Sequence, residues 1–177
     1  MKKITRPAAI KSIAESFLKS LTIEERDSLL LDWWTLDESN AAYFNLSKKL
    51  KALISNYDEP PKDIEHSLAD ELTLTGLKSS YTGVTNDYLA KQLAELGHGT
   101  YEVEGDIEHL NACPCCEYRT LSTISDYDIC ELCMWEDDGT AAAESYSHPN
   151  HMTLSDAKKE FCKKSVNLPL NKWIKAS

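Results

Sequence analysis

The sequence is short of most features that announce a function. It has no run approaching the roughly 20 apolar residues of a membrane helix. Lys2 and Lys3 have no apolar stretch behind them, so a secretory leader is not expected and the chain is read as soluble and made in the cytosol. No glycine-rich phosphate loop and no strand-turn-helix nucleophile motif is present, which removes the commonest signatures of nucleotide binding and serine hydrolysis. There is no internal repeat and no low-complexity stretch. The first 112 residues contain no cysteine. Between Asp106 and Asn150 the only basic side chain is Arg119, so the region is a poor match to a nucleic-acid surface.

What remains is uneven. The 177 residues are 42% hydrophobic and 27% charged, with a net charge of −10, an ordinary globular composition of one domain or two small ones. From Asp106 to Asn150 ten carboxylates face the one arginine, a formal charge of −9 that leaves −1 for the rest of the chain. Five of the six cysteines fall in the 21 residues from Cys113 to Cys133. The chain therefore divides into a charge-balanced front, 1–100, and an acidic, cysteine-rich back, 101–177.

The front reads as helices. Ile10, Ile13, Ala14, Phe17, Leu18 and Leu21 recur at spacings of three and four, one face of a helix from about Ala8, with Pro7 in its first turn. Thr22 and Glu25 have capping-box spacing ahead of a helix from Ile23 to Trp34. A third helix is expected between Asp37 and Ser55, with Leu46, Leu50, Leu53 and Ile54 inward. Pro60 and Pro61 interrupt the chain. A short helix follows around Leu68, Leu72, Leu74 and Leu77, and a last one from Asn86 to Leu96, capped by Thr85 or Asn86 and ended by Gly97. Two adjacent helical residues cannot both point inward, so one of Trp33 and Trp34 is core and the other, with Tyr43, is a candidate groove residue.

The back carries the chemistry. Cys113-Pro-Cys-Cys116 and Cys130-Glu-Leu-Cys133 give C-x2-C-x13-C-x2-C. Two such turns supply the four soft ligands that tetrahedral zinc takes, so Cys113, Cys116, Cys130 and Cys133 are expected to hold one Zn2+. Four protein ligands leave no open position, which makes the ion structural. The stretch from Tyr118 to Ile129 is expected to form a hairpin that sets the turns face to face. Cys115 is read as a buried or idle thiol, with competition as a ligand and a redox role beside the metal as the alternatives, and Cys162 as a core thiol. Asp137, Asp138, His148 and His151 form a weaker alternative metal set, read instead as a carboxylate-capped turn and a solvated loop. Asn150 is expected to be a structural hydrogen-bonding residue. Tyr101–Glu104 is a candidate strand. A helix is expected over Ser155–Lys164, with Leu154, Ala157 and Phe161 packing on the ribbon. The tail with Leu168, Leu170, Trp173 and Ile174 is expected to return to the helical bundle. The fold class expected is α+β, about five helices with a small zinc-ribbon-like element and a following helix.

Three blocks in order, Cys113-Pro-Cys-Cys-Glu-Tyr-Arg-Thr-Leu121, Tyr127-Asp-Ile-Cys-Glu-Leu-Cys-Met-Trp-Glu-Asp-Asp-Gly139 and Pro149-Asn-His-Met-Thr-Leu-Ser-Asp-Ala157, resemble the CPCC cysteine-rich family. Many members of that family carry glycine where this chain has Glu117. The stretch Gly83-Val-Thr-Asn-Asp-Tyr-Leu89 resembles an extension found in some of them. The resemblance implies a bacterial zinc-binding module without enzymatic activity, similar to the immunity proteins of contact-dependent and other polymorphic toxin systems. The expected partner is then a basic protein toxin such as a nuclease, met by Asp126, Asp128, Glu131, Glu136, Asp137 and Asp138. The alternatives are a nucleic-acid-binding ribbon, an adaptor using the helical half, and a thiol or metal enzyme at Cys115 or the Asp/His set.

Overall fold

The computed structural model describes residues 2–176. Its element order is β1 (Lys2–Thr5), α1 (Arg6–Ser20), α2 (Ile23–Trp33), a 3-10 turn (Ala41–Asn45), α3 (Lys48–Asn56), α4 (His66–Ser79), α5 (Asn86–Glu95), β2 (Tyr101–Glu104), β3 (Asn111–Ala112), β4 (Arg119–Leu121), β5 (Tyr146–Ser147), β6 (Met152–Thr153) and α6 (Leu154–Lys164). The fold is α+β, as expected. No helix is long and apolar enough to cross a membrane. The chain forms two compact units: 1–82 with 90–104, and 83–89 with 105–177.

The first unit is built on leucines. Leu30, Trp34, Leu36, Leu46, Leu50, Leu68 and Leu72 form its buried cluster, with Trp33 and Tyr43 packed against the rim. Helix α4 packs against both α1 and α2. Trp34 is the inward member of the tryptophan pair, and its indole N–H donates to the Tyr57 carbonyl at 2.9 Å. The capping box forms as its spacing predicts. The Thr22 hydroxyl accepts from the Glu25 N–H, and the Glu25 carboxylate accepts from the Thr22 N–H. Helix α4 is longer than the short helix expected, because Gly76 does not break it. A Cβ at that position would lie 2.6 Å from the Trp33 ring, so the glycine is a close-approach residue. The expected helix between Asp37 and Ser55 is split: a 3-10 turn capped by Asn40 precedes α3, whose N-cap is Ser47. Strand β1 was not foreseen. It pairs in parallel with β2, Lys2 opposite Tyr101 through Thr5 opposite Glu104, so Tyr101–Glu104 is a strand of the helical unit.

The second unit has little regular structure. Its strand pairs, β3–β4 and β5–β6, are antiparallel and two or three residues long. Helix α6 starts at the Thr153 N-cap, whose hydroxyl accepts from the Asp156 N–H, and buries Leu154 and Ala157. Phe161 meets Tyr118 edge-on at 6.4 Å. The tail belongs to this unit, not to the helical one as expected. Trp173 bridges Val84, Lys175 bridges Tyr118, and the Arg119 N–H donates to the Ile174 carbonyl at 2.8 Å. The edge of the short β-element offers unpaired backbone groups, and the tail satisfies them. Gly83–Leu89 lies in this unit with the cysteine-rich segment. The Thr85 hydroxyl caps α5 through the Tyr88 N–H and donates to the Asn171 carbonyl.

Candidate metal centre

The two cysteine turns share one backbone design. In each, the N–H four residues after the first cysteine returns to that cysteine's carbonyl: Glu117 to Cys113 at 2.9 Å, Met134 to Cys130 at 2.8 Å. Each first cysteine then donates its own N–H to the carbonyl five residues on, Tyr118 and Trp135, both at 2.9 Å. The closing residue of each turn is left-handed, Glu117 at φ 67° and Met134 at φ 64°. Glycine adopts that conformation without cost, which gives a physical reason for glycine at the Glu117 position. The expected hairpin across Tyr118–Ile129 is replaced by two separate ones. β3 and β4 flank the first turn, and a bridge between Ile129 and Glu136 flanks the second. Each turn thus closes its own hairpin, and residues 122–128 are a loop between them.

This geometry converges four sulfurs. Those of Cys113, Cys116, Cys130 and Cys133 all lie within 4.8 Å of one another. The pairs Cys113–Cys133 and Cys116–Cys130 join the two turns at 3.6 Å, too long for disulfide bonds. A tetrahedron with Zn–S of about 2.3 Å has sulfur–sulfur edges of about 3.8 Å, so the spacing suits a zinc-sized ion. The chemistry of the set agrees. The Cys113 thiol is pushed up by Cys116 and Cys130, and the Cys133 thiol by Cys113 and its other sulfur neighbours. Cys130 is drawn down by hydrogen bonds from Cys113 and Cys116. Four thiolates so close need a cation to ionise together. Among the described residues this is the one group of three or more His, Cys, Asp or Glu side chains able to share an ion. Asp137, Asp138, His148 and His151 form no such group.

The ligands are not equivalent. Cys130 is completely buried, and its sulfur accepts from the Thr120 hydroxyl at 3.0 Å and the Cys133 N–H at 3.4 Å. Cys133 is the one ligand that is only half-buried. Cys115 is buried, lines one cavity with Cys133 and is not one of the four. Cys162 is exposed on α6, not in the core as expected, because Ala157 and Leu154 take the inward face.

The acidic residues divide into several kinds. Asp137 is only 3% exposed, so it is an internal acceptor and no part of a contact face. Its carboxylate takes the Ser125 N–H at 2.8 Å, and its backbone carbonyl takes the Tyr127 N–H. Asp128 is half-buried and accepts from the N–H groups of Ser122 and Thr123. Burial pushes the half-buried Asp138 carboxyl up, but hydrogen bonds from Ser147 and Thr140 outweigh it and hold it below the usual aspartate range. Glu131 is exposed and pairs with Lys172 at 3.4 Å; Glu136 is half-buried, and Asp126 is exposed. Asn150 clamps the exit of the second turn: its side-chain oxygen takes the Glu136 N–H, and its amide donates to the Glu136 carbonyl and to Ser147.

The loop held in this way presents residues that the acidic pattern concealed. Ile124, Tyr127 and Ile129 are 65%, 62% and 50% exposed around Asp126. Alternating large apolar and acidic side chains between the two cysteine turns was the sequence signal for them.

Residues 111–166, about a third of the chain, match the model of the cysteine-rich CPCC family. The match contains all four candidate ligands and the three blocks that carried the resemblance. No curated protein and no solved structure matches the chain.

Proposed function

We propose that the chain is a zinc-stabilised immunity protein: it binds and neutralises a cognate basic protein toxin and performs no chemistry of its own. The four-thiol site is closed, which suits a structural ion rather than a catalytic one. Zinc bound by four thiolates adds about −2 to a segment already at −9, and such a field attracts a cationic active site, as on a nuclease. The family resemblance supplies the toxin-system context.

The observation that carries the binding reading is the loop between the cysteine turns. Asp128 and Asp137 fix its backbone, yet Ile124, Tyr127 and Ile129 face solvent beside Asp126. A rigid loop that displays apolar and aromatic side chains within an acidic surround loses little entropy on docking. The contact set revised from the sequence is Asp126, Glu131 and Glu136, with Tyr127 and Ile124 as anchors. A nucleic-acid ribbon would need the cations that this segment lacks.

Protection tests the reading. Cells producing a cognate toxin domain should survive when the chain is co-produced. Asp126→Lys with Tyr127→Ala should weaken the purified complex by at least about tenfold and flatten its salt dependence. A chain that neither protects nor forms that complex contradicts the proposal. Salt-sensitive micromolar binding of RNA or DNA would replace it with the ribbon reading.

A further inference from the structure

The fifth cysteine of the cluster shares a cavity with the most accessible ligand. An open cavity of about 610 Å³ lies between α6 and the second cysteine turn, lined among others by Cys115, Cys133, Met134, Trp135, Met152 and Phe161. Cys113 and Cys116 do not reach it. Cys133 is half-buried whereas the other three ligands are buried. Its sulfur also lacks the hydroxyl donor that Thr120 gives to Cys130. Thiolates that accept hydrogen bonds are poorer nucleophiles, so reactivity in the set is concentrated at Cys133. The Cys115 thiol lines the same cavity without being a member of the ligand group.

We propose that Cys115 and Cys133 form an oxidation site, in which peroxide converts the pair to a disulfide and opens the metal centre. In the first step the Cys133 thiolate attacks hydrogen peroxide. An S–O bond forms, the O–O bond breaks, and hydroxide leaves. In the second step the Cys115 sulfur attacks the Cys133 sulfenic acid. The S–S bond forms, the S–O bond breaks, and the Cys115 proton leaves with that oxygen as water. Two sulfurs lose two electrons in all, and one peroxide is reduced to hydroxide and water. The ion keeps three thiolates and a vacant position, from which a chelator or water displaces it. Because Cys115 is not spent on the metal, it traps the sulfenic acid ahead of Cys113, a member of the ligand group whose sulfur is 3.6 Å from Cys133.

The inference rests on the four-thiolate reading of the metal centre. The experiment therefore measures zinc per chain before oxidation, on the full chain carrying Cys162→Ser to remove the exposed thiol. Limiting hydrogen peroxide is added, zinc release is followed with a chromophoric chelator, and disulfides are mapped by peptide mass spectrometry. The first bridge should be Cys115–Cys133. Cys115→Ser should hold the same zinc and release it at least about fivefold more slowly, and dithiothreitol should restore the metal site of the wild-type pair. A first bridge within Cys113–Cys116 or Cys130–Cys133, or equal release from Cys115→Ser, overturns the proposal. A chain without metal contradicts the zinc reading alone, and the disulfide map still decides for or against this pair.

Discussion

The two units of this protein reach order by different means. The helical unit buries Leu50 and Leu72 completely, and its helices α2 and α3 carry side-chain caps. Its stability is area removed from water, about 25 cal/mol per Å². The cysteine-rich unit has strands of two or three residues, and one in four of the residues from Asp106 to Asn150 is charged. Its loops hang on side chains that satisfy backbone groups: Asp128, Asp137, Asp138 and Asn150. Such bonds are each worth about 1 kcal/mol net. They specify a shape; in the zinc reading proposed above the ion adds the largest single contribution, because structural zinc binding is worth about 10–16 kcal/mol at neutral pH. In that reading one unit folds on hydrocarbon and the other chiefly on a metal.

That contrast can be broken from either side. The largest effect is expected from Cys130→Ser, which removes the most buried ligand. It should abolish stoichiometric zinc and collapse amide protection across 105–176 while the far-ultraviolet helical signal largely survives. Loss of both signals together would show that the units do not differ as described. Leu72→Ala is the converse. It should cost about 2–5 kcal/mol in denaturant unfolding followed by helical signal, with zinc content unchanged.

The sequence revealed the parts whose cause is local. The Thr22–Glu25 box, the Thr85 start of α5 and the paired CxxC turns each depend on residues three or four apart. What it concealed depends on distant partners. Lys2–Thr5 is a strand only because Tyr101–Glu104 lies beside it. The tail makes its β-bridges only because Tyr118 and Val84 offer backbone partners. Trp135-Glu-Asp-Asp-Gly139 is the carboxylate-capped turn its sequence suggests, with Asp137 taking the Gly139 N–H and Asp138 the Thr140 N–H, but the burial of Asp137 depends on the distant Ser125 N–H that it also accepts. The four ligands were legible in their spacing. The inequality among them was not, since it depends on Thr120 and on the cavity beside Cys133.

Smaller changes sharpen the comparison. Thr120→Val keeps the shape of the side chain and removes the donor to Cys130. It should lower zinc affinity about 10- to 100-fold in competition with a chelator, while leaving the thermal melting of the helical unit in place. The smallest effect is a gain. Glu117 occupies a left-handed conformation and its bond to Lys158 is exposed at 3.4 Å, so Glu117→Gly should stabilise the cysteine-rich unit by up to about 1 kcal/mol in denaturant melts followed by Trp fluorescence. A loss instead would mean that the Lys158 contact outweighs the backbone strain.

The most direct test of the central claim is the zinc K-edge absorption spectrum of the protein purified under reducing conditions, with metal content measured on the same sample. One zinc per chain with four sulfur neighbours at about 2.3 Å and no nitrogen or oxygen is the expected result. A nitrogen or oxygen neighbour, or a folded cysteine-rich unit with no metal, would contradict the account.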